Sequence, residues 1–422
     1  MQVGTAAYVL FSPQQQPDAA SIALVLAITL LPFSIVGPFV SLTLDRFNRR
    51  QVAVMTDLIR AVIAVLLAAL VLNPGLREHW TMWLFYGGVL VAMSLNRYLM
   101  AGLSAALPHT VEEDEYLIAS SVMPTIGPSG VLLGAAVAAA IRFTATGHME
   151  SYQADALIFT TAALGFTVAV ILSLRIPRPS LGPYLTQSEV MTTPARDVVK
   201  GLIEAVNHLR ERRPAGIGLV TIGAQRVLYG MTQVATILLF RNWFHQVDQI
   251  EAAMADIVLW AGATGVGFVV SAVVVPPLAR RIGIRRTIVT LLIGAGVLQI
   301  VPGSIFTLPT LVVAGLGLGL GSQALKICVD TLVQAHVDDD FKGRVFTIYD
   351  MIFNACFVLA ACLVALWFPA DGHTLFGFVL LGVLLIGVGV VFGVRSRSIG
   401  SAAFDRGTEY DPATSHIHRS PA

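Results

Sequence analysis

Leu44-Asp45-Arg46-Phe47-Asn48-Arg49-Arg50 is a short basic turn set between two long apolar runs. Ala279-Arg280-Arg281-Ile282-Gly283-Ile284-Arg285-Arg286 is a second turn of the same kind, again between apolar runs. Outward from the first turn, residues 19–43 precede it and 52–72 follow it. Outward from the second, 257–278 precede it and 287–306 follow it. Each run is about the 20 mostly apolar residues that a membrane-spanning helix needs. The remaining runs of this kind are 82–104, 118–141, 155–174, 216–239, 309–333, 345–368 and 374–394. They are continuously apolar rather than alternating, which excludes a closed β-barrel.

Composition agrees with this reading. Of 422 residues, 55% are hydrophobic and 13% charged, against about 25% charged in ordinary globular proteins. Mean hydropathy is +0.75. So little charge could not coat a soluble surface of this size. A net charge of +1 excludes a nucleic-acid binder that works by bulk electrostatics. Cys328, Cys356 and Cys362 all lie in apolar runs and make no disulfide framework.

The cations set the orientation. Arg77, Arg142 and Arg241 fall in loops on one side, and Arg60, Arg97, Arg226 and Lys326 fall inside spans. All the other Lys and Arg residues lie in loops or tail on the opposite side, which the positive-inside rule makes cytoplasmic. Both termini are then cytoplasmic, and the span count is even. The apolar stretch Met1 to Phe11 is about half a span, followed by Gln14-Gln15-Gln16-Pro17. It lacks the basic start of a signal peptide. It is read as part of a shortened first helix, which brings the count to twelve.

The expected organisation is an all-α polytopic membrane protein in two six-helix bundles. Residues 1–175 form the first bundle, 176–213 a cytoplasmic linker, 214–397 the second bundle and 398–422 a disordered tail. Within the linker, Val198, Leu202, Ile203, Val206 and Leu209 recur at helical spacing among Arg196, Lys200, Glu204 and Arg210. That pattern predicts an amphipathic helix at the membrane surface. The two basic turns occupy equivalent places in the two bundles, as an internal repeat requires. Two similar halves around a midplane site is a common plan of secondary transporters.

These turns carry a family resemblance. Ser41-Leu42-Thr43-Leu44-Asp45-Arg46-Phe47-Asn48-Arg49-Arg50 resembles the signature loop of the major facilitator superfamily, with Ser41 and Asn48 where the pattern has glycine. Leu31-Pro32-Phe33-Ser34-Ile35-Val36-Gly37-Pro38-Phe39, Ala105-Ala106-Leu107-Pro108 and Lys342-Gly343-Arg344-Val345-Phe346 are similar to its drug- and siderophore-efflux branch. The resemblance implies the major facilitator fold, alternating access, and proton-coupled export of amphiphilic small molecules. A bacterial inner, plasma-membrane location and a monomer are expected with it. It also implies a gate at Asp45, Arg46, Arg49 and Arg50, with Arg344 a candidate partner for Asp45 near the start of the 345–368 span, where a helix dipole favours an anion. An ordinary topology-setting loop is the competing reading of that turn.

Several polar residues stand inside apolar helices, where they are costly unless compensated. Asp57 and Arg60 are spaced to pair on one helix, either as an internal structural pair or as part of a translocation route. Asn96 and Arg97 are deep in the 82–104 span, and the resemblance links an arginine there to proton coupling. Gln225 and Arg226 form a similar cluster in the 216–239 span. Gln323, Lys326 and Asp330 share one stripe of the 309–333 span. A Lys326–Asp330 bridge that opens with proton or cargo competes with a static pair. Gly127, Pro128, Gly130 and Gly134 permit bending and close packing, and partly match a Gly-Pro motif of antiporters in the family. Gly315, Gly317, Gly319 and Gly321 are two overlaid small-xxx-small pairs and predict helix packing.

No Walker A sequence, cofactor motif, metal cluster or nucleophile–base set is evident. A membrane enzyme would need such a cluster. A non-transporting sensor or scaffold with this fold, or an importer of a narrow cargo, are the other readings. The expected partners are a small molecule, protons and the lipid bilayer, with no nucleic acid.

Overall fold

The structure, a computed structural model, describes residues 48–73, 79–106, 136–145, 149–177, 195–246 and 249–404 apart from position 302, together with positions 24, 27, 28, 30, 130, 133, 134 and 181. The described residues are helical, with no strand among them. The helices are α1 (Arg49–Leu72), α2 (His79–Ala106), α3 (Ala136–Ala145), α4 (Ser151–Arg175), α5 (Ala195–Glu211) and α6 (Arg213–Leu238). There follow α7 (Ile250–Ile282), α8 (Ile284–Ile300), α9 (Leu308–His336), α10 (Asp339–Trp367), α11 (Leu375–Arg397) and the single turn α12 (Ser401–Phe404). Six of the described helices are long and apolar enough to cross a membrane.

The chain divides into two compact units, Met1–Lys200 and Gly201–Ala422. In the first, α1 packs along α4 and against α2. Leu67, Val71, Phe85, Val89 and Phe159 form its core. In the second, α6 is central and touches α9, α10 and α11, while α7 packs on α9 and α8 on α11. Gly315 and Gly319 of α9 meet Trp260 and Thr264 of α7, and Gly317 and Gly321 meet Leu298 and Ala295 of α8. The two overlaid small-residue pairs thus serve two neighbours. A Cβ at Gly315 would sit 2.7 Å from Trp260 Nε1, so α7 and α9 approach this closely only without side chains there.

The repeat is visible in the side chains. At the start of α1, Arg50 donates to Ser173 O (3.2 Å) and Leu174 O (2.7 Å) at the end of α4. At the start of α8, Arg285 donates to Ser396 Oγ (2.9 Å) and Gly393 O (3.4 Å) at the end of α11. In each case a cation bonds oxygens in the last turns of a helix, near its C-terminus, where the dipole is negative. Arg49 adds a bond to Leu181 O at 3.1 Å.

Three placements differ from the sequence reading. Arg142 and Arg241, expected in loops, lie within helices. Arg142 is in α3 and pairs with Asp155 at the start of α4. Arg241 is in a π-helical turn, Leu239–Phe244, and is fully buried. The span expected over 287–306 ends as a helix at Ile300. The sequence continues Val301-Pro302, and a proline has no backbone N–H with which to continue the helical hydrogen-bond ladder. The tail, expected to be disordered from 398, instead begins with α12. Phe404 is buried against Phe392, their centroids 5.8 Å apart, and His336 Nε2 lies 2.6 Å from Ala403 O.

Candidate functional site

In the second unit, three helices bring polar side chains together. Arg226 lies about 20 Å along α6 from Arg213, at 1.5 Å per residue. It is 5% exposed. Its guanidinium lies 3.6 Å from the ring centroid of Phe353 and 4.9 Å from that of Tyr229. Among the described residues it pairs with no carboxylate. Two aromatic faces therefore compensate the charge, the arrangement for which arginine is best suited. Gln225 beside it is buried, with its side-chain oxygen unpartnered among the described residues. One turn on, Tyr229 accepts a hydrogen bond from Gln233 at 2.7 Å.

On α9, Lys326 Nζ bonds Asp330 Oδ2 at 2.7 Å. The two side chains are 35% and 29% exposed, unlike the sealed Arg226. Gln323 is half-buried one turn earlier. Tyr349 of α10 joins the two groups. Lys326 Nζ is 5.2 Å from its ring centroid, and its buried hydroxyl stands near Asp330 and Arg226 with no hydrogen-bond partner among the described residues. Tyr349 also meets Phe353 edge-on at 6.4 Å. The residues Arg226, Phe353, Tyr349, Lys326 and Asp330 thus form a continuous path across α6, α10 and α9. Sequence reading found the two ends but not Tyr349 and Phe353. Their one signal is a tyrosine and a phenylalanine four residues apart on an apolar helix, which is ordinary core composition.

The first unit holds its charges differently. Arg60 Nη1 bonds Asp57 Oδ1 at 2.8 Å, with side-chain exposures of 11% and 8%. The Arg60 guanidinium also stacks 4.0 Å from the Phe166 centroid. Arg142 and Asp155 form a second closed pair, between two helices, which no helical spacing in the sequence marks. Asn96 and Arg97 are half-buried on α2. Tyr98 and Leu95 beside them help to line a cavity of about 590 Å³ with Met55, Ile59 and Leu174.

Of the expected gate, Asp45 and Arg46 lie outside the described residues, as do Gly127 and Pro128. No described atom lies within 4 Å of a Cβ placed at Gly130 or Gly134. Arg344 bonds Glu204 Oε2 at 3.2 Å. Glu204 belongs to α5, and α5 is clasped to the start of α10. Arg212 bonds both oxygens of Asp338 at 2.8 Å, and His208 stacks on Phe341 at 4.4 Å. The Arg212 hydrogen bonds hold the Asp338 carboxyl below its ordinary value. No group of three His, Cys, Asp or Glu side chains able to hold a metal occurs among the described residues.

Residues 3–361 match the family model of the Major Facilitator Superfamily. The chain belongs to that superfamily. It is a multi-pass membrane protein and a transporter. An uncharacterized MFS-type transporter of Mycobacterium tuberculosis is 31% identical over 391 residues, 92% of this chain and 86% of that protein. Among solved structures, the peptide transporter POT matches with a TM-score of 0.67 at 15% identity, over 94% of this chain and 91% of that one. A D-xylose-proton symporter matches with a TM-score of 0.63 at 14% identity, over 93% and 91%. At such identities the structures speak for the fold alone.

Proposed function

We propose that this transporter exports amphiphilic small molecules by alternating access, exchanging them for protons across the plasma membrane. The observation that carries the reading is the Lys326–Asp330 bridge. It is an ion pair within a membrane-spanning helix, about a third exposed, and connected through Tyr349 to a buried Arg226. A proton arriving at Asp330 neutralises the carboxylate and leaves two cations, Lys326 and Arg226, on either side of Tyr349. Their mutual repulsion favours a different packing of α9 against α6 and α10. Loss of that proton restores the bridge. Proton occupancy and conformation are then linked, as exchange transport requires. The rings of Phe353, Tyr229 and Tyr349 lie beside Arg226 and Lys326, which suits a cargo with an apolar or aromatic part. The fold it shares with a D-xylose-proton symporter is compatible with proton use.

The test is efflux of a panel of amphiphilic dyes from cells expressing the chain, with and without an uncoupler. Uncoupler-sensitive efflux that is abolished in Asp330→Asn and Arg226→Ala, with both variants present in the membrane, supports the reading. Dye retention equal to that of empty cells, with the protein present in the membrane, overturns export of this cargo class. Uncoupler-stimulated loss, or energised accumulation, would instead identify an importer.

A further inference from the structure

A second, separate cavity of about 340 Å³ lies beneath α5, between it and the adjoining parts of α6 and α10. Ligand sites run from about 300 to 1,000 Å³. Its walls are apolar, with Val206, Ile217, Val220, Ile348 and Ile352 prominent. Among the described residues its charged walls are Arg210 and Arg213. Both are exposed, and neither pairs with a carboxylate among the described residues. Arg212 between them is committed to Asp338.

The helix above the cavity has two apolar sides. Ala205 and Leu209 are buried in the core of the second unit, and the clasps to Asp338 and Arg344 fix that side. Val199, Ile203 and Val206 are 45%, 57% and 39% exposed. With Arg210 they follow one helical stripe of α5, at steps of four, three and four residues, and Arg213, which opens α6 just past the break at Arg212, lines the same cavity. Apolar walls with two guanidinium groups, one from the end of α5 and one from the start of α6, complement a phosphate-headed amphiphile. Arginine binds phosphate through paired N–H donors, and basic pockets at this membrane surface favour anionic head groups.

We propose that this cavity binds one anionic phospholipid of the cytoplasmic leaflet, with an acyl chain along Ile217, Val220 and Ile352 and its phosphate between Arg210 and Arg213. The bound lipid covers the exposed stripe of α5 and holds the linker helix against the membrane surface. This site is distinct from the Arg226–Asp330 path and does not depend on the direction or coupling of transport.

The test is native mass spectrometry of the full chain, delipidated in detergent and titrated with phosphatidylglycerol, phosphatidylcholine or glycerol 3-phosphate. Phosphatidylglycerol is expected to bind in preference to phosphatidylcholine. Arg210→Gln with Arg213→Gln should weaken it by roughly 25-fold, about 5-fold per arginine, and leave phosphatidylcholine unchanged. Val220→Trp should weaken it with both arginines in place. An unchanged thermal midpoint would show that these variants fold. Equal binding of the two lipids, or undiminished phosphatidylglycerol binding in the double variant, overturns the assignment. Glycerol 3-phosphate binding as tightly as the lipid also overturns it, by leaving an anion site with no role for the cavity.

Discussion

Two ion pairs, one in each unit, look alike in distance and unlike in setting. Asp57–Arg60 closes at 2.8 Å within α1, and Lys326–Asp330 closes at 2.7 Å within α9. The first is nearly sealed, at 8% and 11% exposure, and capped by Phe166. The second is about a third exposed. A sealed pair is rigid, because each partner would be stranded without the other. An open pair can exchange its partner for water, a proton or a cargo. The first unit therefore treats its buried charges as structure, and the second keeps some of them available.

The largest expected effect tests that contrast directly. Asp57→Ala strands Arg60 inside the first unit and should destabilise it by about 3–5 kcal/mol, as should Asp155→Ala with Arg142. Lys326→Met should change stability by no more than about 1 kcal/mol, the range of exposed pairs. Unfolding of the purified variants measures both, and equal losses would erase the distinction.

Next in size is packing at the centre of the second unit. A Cβ at Gly230 would come 2.7 Å from that of Ala360 across the α6–α10 contact. Gly230→Val should therefore cost about 1–3 kcal/mol through overpacking. It should also lower transport, because Arg226 lies one turn away on the same helix. A variant of unchanged stability would show that α6 and α10 are free to separate.

A smaller effect examines the repeat. Arg50→Ala and Arg285→Ala each remove a cation from the end of a partner helix. Each should cost about 1 kcal/mol, and the two losses should be similar. A loss confined to one unit would mean that the matching hydrogen bonds do not carry matching weight.

The smallest effect is in the linker. Arg212 lowers the Asp338 carboxyl below its ordinary value of 3.8. A carboxyl lowered by folding stabilises the fold fully above its ordinary value. That contribution is lost as pH falls from 3.8 through the lowered value. Hydrogen-exchange protection of α5 should decline over that window, and Asp338→Asn should remove the decline. An identical pH response in the variant would rule out this clasp as its source.

What could be read in the sequence shares a physical origin. The apolar runs, the basic turns and the pairs at helical spacing depend only on the period of a helix and the thickness of a bilayer. Those features determined the membrane setting, the helical architecture and the two repeated turns. They also located Asp57–Arg60 and Lys326–Asp330, since residues three or four apart meet on any helix. Partners on different helices carry no such period. Only the tertiary structure decided that Arg226 lies against Phe353, that Tyr349 joins it to Asp330, and that Arg344 bonds Glu204. It alone decided that Arg142 meets Asp155 and that α5 is clasped to α10. Which helix faces meet is set by the summed fit of whole surfaces, glycine pairs and close contacts included. No single residue in the chain records that fit.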